Sequence, residues 1–181
     1  MKIKPIKQGV DGLCGIYAIM NSIHIALGLT QEEIEDKLFP ALLEPLKDQM
    51  FDVLTGGTLV SDIEKVLQHT KKIVPKLYDH SFSFKKLKEP ASDINRWLDM
   101  MQMHLDRSYV SNDHGAQTRT CLTSFVYPYA HWTLIRDVND TDISLFDSYR
   151  HRNINHNRIF FSGTRDFVFC PEETFFITIG E

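Results

Sequence analysis

A cysteine near the N-terminus stands between a segment with several glycines and a stretch of apolar residues. The segment reads Gln8-Gly9-Val10-Asp11-Gly12-Leu13-Cys14-Gly15-Ile16-Tyr17-Ala18. If a helix begins at Cys14, its free backbone N–H groups and its dipole favour the thiolate over the thiol. Gln8, six residues earlier (14 − 8), carries an amide that can donate to the oxyanion formed when a thiolate attacks a carbonyl. The segment therefore predicts a nucleophile, Cys14, and its oxyanion donor, Gln8.

A nucleophilic thiol needs a base, and the chain has eight histidines that could supply it. His131 differs from the others because it directly precedes an apolar stretch, Trp132–Ile135, that is predicted to be a strand. Asp147 follows the next predicted strand, 16 residues later (147 − 131). A hairpin turning at Asn139-Asp140 would bring the carboxylate beside the imidazole, where it can orient the ring and support its charge. The spacing predicts a triad of Cys14, His131 and Asp147.

Each residue of this set also has a plainer interpretation when it is taken alone. Cys14 can be an inert, buried cysteine, since free cysteines are common in cores. His131 can be a hydrogen-bonded histidine at a strand edge, and Asp147 can be a carboxylate that forms a turn. The occurrence of all three together with Gln8 favours the catalytic interpretation.

The helical pattern is strongest in the first half of the chain. Apolar residues recur almost all round a predicted helix from Leu13 to Leu27, which is therefore expected to be buried, and Gly28 is expected to end it. Thr30-Gln31-Glu32-Glu33 matches a capping box and predicts a second helix through about Phe39. Pro40 and Pro45 are expected to interrupt the pattern, and Leu42–Leu54 is expected to be another helical piece. The next predicted pieces are a helix capped by Thr58 or Ser61 and ending near His69, extended segments at Lys71–Tyr78 and Phe82–Phe84, and a helix at Asp93–Leu105 capped by Ser92.

Beyond Arg119 the pattern changes to strands. The predicted strands are Cys121–Tyr127, Trp132–Val138, Ile143–Phe146, Asp166–Phe169 and Thr174–Ile179. Helices followed by antiparallel strands indicate an α+β fold in which the cysteine helix packs on the sheet. A length of 181 residues suits a single domain, residues 1–181.

The composition excludes several classes of function. The net charge of −4 is spread without a basic block, so no nucleic-acid partner is expected. No apolar run approaches the ~20 residues of a membrane span, and the start of the chain does not resemble a signal peptide. Three cysteines without paired or zinc-type spacing favour a reduced, cytoplasmic protein with neither metal nor other cofactor.

Some loops and side chains are candidates for a substrate cleft. Thr55–Thr58 and Ser111–Gln117 can line a cleft, although ordinary connecting loops have the same composition. Phe125, Tyr127 and Tyr129 can line a channel next to His131 or simply pack within a strand. A basic loop, which contains His151, His156, Arg150, Arg152 and Arg158, is predicted to be solvated or to contact an acidic partner, because the spacing of its histidines (156 − 151 = 5) suits no helical pair of metal ligands.

The arrangement Gln8-Gly9-x-x-Gly12-x-Cys14, then His131-Trp132 before a strand, then Asp147 after the next, resembles the papain-like cysteine peptidase superfamily. The order Gln, Cys, His and Asn or Asp is that of the family. Cys14-Gly15-x-x-Ala18 and His131-Trp132 are most similar to the bacterial peptidase domains that process bacteriocin leaders. The resemblance covers three short windows and implies a papain-like fold.

The resemblance also implies a role for each residue. Cys14 would be the nucleophile, His131 the general base and later the acid, and Asp147 the residue that orients His131. Gln8 and the backbone N–H of Cys14 would form the oxyanion hole. The sequence departs from secreted papain-type enzymes at three positions, which points to an intracellular, bacterial type of enzyme. The departures are Asp11 in place of a cysteine, Gly15 in place of a tryptophan and Ala130 in place of the glycine that many relatives have before the histidine.

The expected activity is that of a cysteine peptidase or isopeptidase, which acts on a peptide or protein amide through a thioester. The same residues would serve a glutamine deamidase, a transglutaminase-like enzyme or an acyltransferase, since these share the chemistry and differ in the acceptor or the amide attacked. A catalytically silent binding domain is the third alternative. The oligomeric state stays open.

Overall fold

The computed structural model describes residues 3–8, 11–88, 91, 93–106, 117–149 and 151–180. Its α-helices are α1 (Cys14–Leu27), α2 (Gln31–Glu33), α3 (Phe39–Leu43), α4 (Met50–Gly56), α5 (Val60–Tyr78) and α6 (Ile94–Leu105). A π-helix (Ile34–Leu38) and a 3-10 helix (Glu44–Gln49) link α2 to α4, and a second 3-10 helix covers His156–Arg158. The strands are β1 (Ser81–Lys86), β2 (Gln117–Tyr127), β3 (His131–Val138), β4 (Asp142–Leu145), β5 (Asn153–Asn155), β6 (Ile159–Phe160) and β7 (Phe167–Gly180).

Helix α1 lies in the core, as its apolar circumference predicts. Ile16, Ile19 and Ile23 are fully buried. Gly28 ends the helix at a positive φ of 62°, where its N–H donates to the carbonyl of His24 at 2.9 Å. The cysteine predicted to begin the helix is its first residue.

The capping box at Thr30 is confirmed, and the segment predicted to be helical at Leu42–Leu54 is helical. Near the prolines the helix changes type and does not break. Thr30 Oγ1 accepts from the N–H of Glu33, whose carboxylate in turn accepts from the N–H of Thr30. Helical structure then continues to Gly56 through π and 3-10 turns. Pro40 and Pro45 occupy the first turns of α3 and of the 3-10 helix, where a missing N–H costs little.

Helix α5 is longer than predicted, and the strand predicted at Lys71–Tyr78 is wrong. The buried residues Val66, Thr70 and Val74 continue one helical face beyond His69, and this burial outweighs the extended appearance of the local sequence. Neither Thr58 nor Ser61 is the N-cap, which is Leu59, and the cap contact comes from within the helix: the Asp62 carboxylate accepts from the N–H of Leu59 at 3.0 Å.

The strands form one seven-stranded sheet in the order β1-β7-β2-β3-β4-β5, with antiparallel neighbours, and the short β6 pairs in parallel with β7. The predicted strands at Phe82–Phe84, Cys121–Tyr127, Trp132–Val138 and Ile143–Phe146 are confirmed with small shifts of their ends. The two predicted strands after Asp166 are in fact one, β7. β7 contains a large bulge, in which Pro171, Glu172, Glu173 and Thr174 stand opposite a single residue of β2, Thr123.

Helices cover both faces of the sheet, which makes an α+β fold. On one face, α1, α3 and α5 pack against Leu122, Trp132, Leu134 and Phe175 in the first core. On the other face, α6 packs against Cys121, Phe125, Ile135 and Phe169 in the second core. The predicted N-cap Ser92 lies outside the described residues, and the observed cap of α6 is Asp93, whose carboxylate accepts from the N–H of Arg96.

Candidate active site

The hairpin of β3 and β4 brings His131 and Asp147 together, as their spacing predicts. His131 Nε2 lies 2.7 Å from Asp147 Oδ1, and the histidine is only 5% exposed. The pairing continues past the end of β4, because the N–H of Phe146 donates to the carbonyl of Leu134 at 2.8 Å. Asp147 is thereby fixed beside the first residue of β3.

Further donors hold the Asp147 carboxylate in place. Thr133 Oγ1 donates to Oδ1 at 3.0 Å. The N–H groups of Tyr149 and His151 donate to Oδ2 at 3.0 and 3.3 Å. Thr133 has no part in the sequence motif, but it is two residues after His131 in a strand, so that both side chains project on the same face.

The pair is electrostatically stabilised in its ionised form. Burial lowers the pKa of His131, but the hydrogen bonds to Asp147 and Cys14 outweigh burial and raise this pKa to about 9. Burial alone would raise the pKa of Asp147, yet the contacts with His131 and Thr133 and the N–H of Tyr149 lower it below the usual value. The imidazolium and the carboxylate are therefore the expected species at neutral pH.

Cys14 lies at the first turn of α1 and contacts the same imidazole. Its thiol is close enough to the ring to raise the pKa of His131, and Sγ lies 3.5 Å from the backbone N of Trp132. Because Asp147 occupies Nε2, Nδ1 is the ring nitrogen left to exchange a proton with the thiol. Cys14 is partly exposed, so a substrate can reach it.

Gln8 lies near the thiol and points into the loop that precedes α1. Its Nε2 donates to the backbone carbonyl of Asp11 at 2.6 Å and to Asp11 Oδ1 at 3.2 Å. The N–H of Gln8 donates to the carbonyl of Ser148, next to Asp147, at 3.3 Å. Gln8 and Cys14 line the same cleft. Gly9 and Val10, between them in sequence, lie outside the described residues.

The cleft has a volume of about 560 Å³ and runs over Cys14 and His131. Its walls come from the loop before α1, from the turn between α4 and α5, from the end of β2 and the start of β3, and from the bulge of β7. Of the two candidate cleft loops, the turn at Gly56, Gly57 and Thr58 contributes, while residues 111–116 of the other lie outside the described part of the chain. A larger groove of about 710 Å³ lies between α5 and β1, but neither Cys14 nor His131 lines it.

Close packing of glycines allows the α4–α5 turn to approach the start of α1. A Cβ atom at Gly12 would lie 2.1 Å from the carbonyl oxygen of Val53 and 2.9 Å from Cα of Gly57. Thr58 Oγ1 donates to the carbonyl of Gly12 at 2.7 Å, and Trp132 Nε1 donates to the carbonyl of Thr58 at 2.8 Å. These contacts tie the thiol-bearing helix end, the turn and β3 together.

Aromatic rings surround His131 on the side of the second core. The ring centroids of Phe125 and Tyr129 lie 5.3 and 5.9 Å from that of His131, and those of Tyr149 and His151 lie 6.1 and 6.4 Å away. Phe125 and Tyr129 also line the cleft, whereas Tyr127, which was predicted with them, is not among its lining residues. Burial lowers the pKa of His151 and raises that of Tyr129 to about 12.

The sequence interpretation missed His151, which it placed in a solvated basic loop. Tyr129 and His151 are hydrogen-bonded to each other through the hydroxyl and Nε2. The only signal in the sequence is the position of His151 four residues (151 − 147) after Asp147, which lets its N–H reach the carboxylate. Arg150 of the same loop lies outside the described residues.

The other two cysteines are poor candidates for the nucleophile. Cys121 is fully buried in the second core, and burial raises its pKa far above the usual value. Cys170 is partly buried, and burial raises its pKa as well. All three cysteines are free. Within the described ranges, no group of three histidine, cysteine, aspartate or glutamate residues could hold a metal ion.

Comparisons with protein-family models, with curated proteins and with solved structures find no match to this chain. In the part of the chain that the structure describes, no helix is both long enough and apolar enough to span a bilayer.

Proposed function

We propose that the chain is a cysteine hydrolase with papain-like machinery, a peptidase or isopeptidase that cleaves a peptide or protein amide through a thioester. The observation that carries the proposal is the contact of the Cys14 thiol with an imidazole that is itself paired, at 2.7 Å, with a buried carboxylate. A nucleophile, a base and an orienting group in contact, on the floor of an open cleft, are the arrangement that nucleophilic catalysis needs.

The proposed reaction has two steps. In the first, the Cys14 sulfur attacks the carbonyl carbon of the substrate, and the imidazolium of His131 gives its proton to the departing amine, which leaves a thioester. In the second, His131 takes a proton from water, the hydroxide attacks the thioester, and the thiolate leaves with the carboxylic acid product released. Asp147 keeps the ring oriented in both steps.

The oxyanion of each step would be stabilised by Gln8 and by the backbone N–H of Cys14. In the structure, Nε2 of Gln8 donates to Asp11, so one of its N–H bonds must turn from Asp11 to the substrate oxygen when substrate binds. A preorganised donor of this kind contributes about 3 kcal/mol to stabilising the transition state in enzymes with oxyanion holes.

The rim of the cleft supports a peptide substrate. Leu59 is 65% exposed and Val126 54% exposed, and both line the cleft with Tyr129 and Tyr149. Exposed apolar and aromatic side chains around a concave site are typical of surfaces that bind a partner chain.

The test is covalent labelling followed by mass spectrometry. A tetrapeptide vinyl sulfone should form one adduct, on Cys14, and Cys14→Ala should abolish it. The matched control Cys170→Ala, which removes another partly exposed thiol, should leave the rate unchanged. Iodoacetamide should likewise modify Cys14 at least about tenfold faster than Cys170.

Equal iodoacetamide rates at Cys14 and Cys170, with no vinyl sulfone adduct, would overturn the proposal and favour a silent binding domain. An activated Cys14 that ignores every peptide probe but converts glutamine side chains to glutamate in a denatured protein substrate would favour the deamidase alternative.

A further inference from the structure

Glu173 lies in the cleft because β7 is irregular at that point. The register of β2 and β7 passes from Leu122 opposite Phe175 to Ser124 opposite Cys170, so Glu173 belongs to the bulge. Bulges redirect side chains and are frequent beside functional sites. Here the bulge presents a partly buried carboxylate to the same cleft that contains Cys14.

A serine on the neighbouring strand orients this carboxylate. The hydroxyl of Ser124, which is itself buried, donates to Oε2 of Glu173. A buried donor restricts the side chain to one orientation, so the carboxylate is held ready and loses little conformational freedom when it binds a ligand. Oε1 accepts no hydrogen bond from any other described residue.

The cleft offers a ligand little positive charge. Its described lining contains two carboxylates, those of Asp11 and Glu173, and neither lysine nor arginine, and its cationic group, the His131 imidazolium, is already paired with Asp147. Asp11 Oδ1 already accepts from Gln8 and from the N–H of Leu13. Glu173 is therefore the negative charge that a ligand can meet, and an incompletely solvated carboxylate favours a cation beside it.

The sheet register places Glu173 close to the reacting thiol. Cys14 Sγ lies 3.5 Å from the backbone N of Trp132, Ser124 stands opposite Trp132, and Ser124 contacts Glu173. Two steps between neighbouring strands cover about 10 Å. An extended substrate advances about 3.3 Å per residue, so Glu173 is within reach of a side chain about three residues or fewer from the bond that is cleaved.

We propose that Glu173, positioned by Ser124, is a specificity-determining residue that binds a lysine or arginine side chain of the substrate near the scissile bond. The apolar Leu59, Val60 and Val126 of the cleft would cover the aliphatic part of that side chain. This inference rests on the proposed function and adds the class of substrate, a peptide with a basic residue.

The test uses pairs of tetrapeptide vinyl sulfones. The two members of a pair differ at one position only, which is arginine in one and citrulline in the other, and each position of the peptide is tested in turn. Citrulline has nearly the same shape and lacks the charge. At one position the arginine probe should label Cys14 about tenfold faster, equivalent to about 1.4 kcal/mol, and the ratio should fall as salt is raised. Glu173→Gln, which still accepts from Ser124, should bring the ratio close to one.

The neighbouring carboxylate provides the matched control. Glu172 is exposed and does not line the cleft, so Glu172→Gln should keep the full preference for arginine. A ratio near one at every position in the unmodified protein would overturn the inference, as would an arginine preference that survives in Glu173→Gln with an intact unfolding transition. The proposed function has a separate test: it would fail if iodoacetamide did not modify Cys14 faster than Cys170, whatever the preference for arginine.

Discussion

Two neighbouring groups stabilise the protonated form of His131. Asp147 stabilises the charged ring from one side, and the Cys14 sulfur stabilises it from the other. The ring is buried, so without these partners its neutral form would be favoured. The charge state of His131 therefore depends on the Asp147 carboxylate and on the Cys14 sulfur, and the expected pH dependence of the proposed reaction is a property of the three groups together.

The rate of amide cleavage should fall at high pH with an apparent pKa of about 9, the value of His131. The pKa is raised, so the imidazolium, which would protonate the leaving amine in the proposed reaction, persists through neutral pH and is lost only as the pH rises through about 9. The measurement is the pH profile of kcat/KM for a fluorogenic peptide amide. Alkylation of Cys14 by iodoacetamide needs no acid and should not fall over the same range.

Asp147→Asn should move that alkaline limb to lower pH, because the ring loses the carboxylate that keeps it charged. The activity at neutral pH should drop by about 10²-fold or more, since a charged orienting group is replaced by a neutral one. An alkaline limb that stays near pH 9 in Asp147→Asn would show that Asp147 does not control the protonation of His131.

The packing at the start of α1 depends on the absence of a side chain at Gly15. A Cβ there would lie 2.2 Å from Cδ1 of the buried Ile63 on α5 and 3.2 Å from Cγ2 of Thr58. The Ile63 side chain of α5 therefore packs directly against the backbone of α1 at the residue that follows Cys14.

Gly15→Ala should lower the free energy of unfolding by about 2 kcal/mol through overpacking. The conflict is with one methyl group, which Ile63→Val removes. The double variant Gly15→Ala/Ile63→Val should therefore be more stable than the two single effects predict, by about 1 kcal/mol in a double-mutant cycle followed by urea denaturation. Strict additivity of the two substitutions would contradict this packing.

The sequence predicted the elements whose signals are local. The capping box at Thr30 and the hairpin around Asn139-Asp140 depend on neighbouring residues, and both were correctly placed. The end of α5 depends on burial against the sheet, which no local signal records, so the predicted strand there was wrong. The bulge of β7 depends on its pairing with β2, and the sequence could not show that it would place Glu173 in the cleft.

In the candidate site, too, the features with a local cause could be predicted and those that depend on packing could not. The spacing of His131 and Asp147 follows from a hairpin and was predictable. The contacts of Asp147 with Thr133 and His151, and the closing of the α4–α5 turn over Gly12, arise from packing between distant segments. The direction of the Gln8 amide, towards Asp11, is also set by the local loop and could not be deduced from the motif.

The two hydrophobic cores lie on opposite faces of one sheet. The chain has two tryptophans, and each reports on a different core: Trp132 lies in the first and Trp97 in the second. Trp97 is also attached to the bulge of β7, because its Nε1 donates to Thr174 Oγ1 at 3.0 Å. The loss of either core would expose one face of the shared strands, so the cores should not unfold separately.

We expect a single unfolding transition, which is the test of the prediction that residues 1–181 form one domain. In Trp97→Phe only Trp132 fluoresces, and in Trp132→Phe only Trp97 does. In each variant, the midpoint in urea from fluorescence should coincide with the midpoint from circular dichroism. Midpoints that separate within one variant would show that the two cores unfold independently.

The distance along the chain between the reacting groups has a consequence for biosynthesis. Cys14 leaves the ribosome 117 residues (131 − 14) before His131, and the strand that carries Glu173 follows later still. A nascent chain thus bears the thiol long before it has His131 and Asp147, the proposed acid and orienting group, or Glu173, the proposed specificity residue. The sheet cannot close until β7 is made, so, if the proposed function holds, the order of synthesis would keep the growing chain from reacting before it has folded.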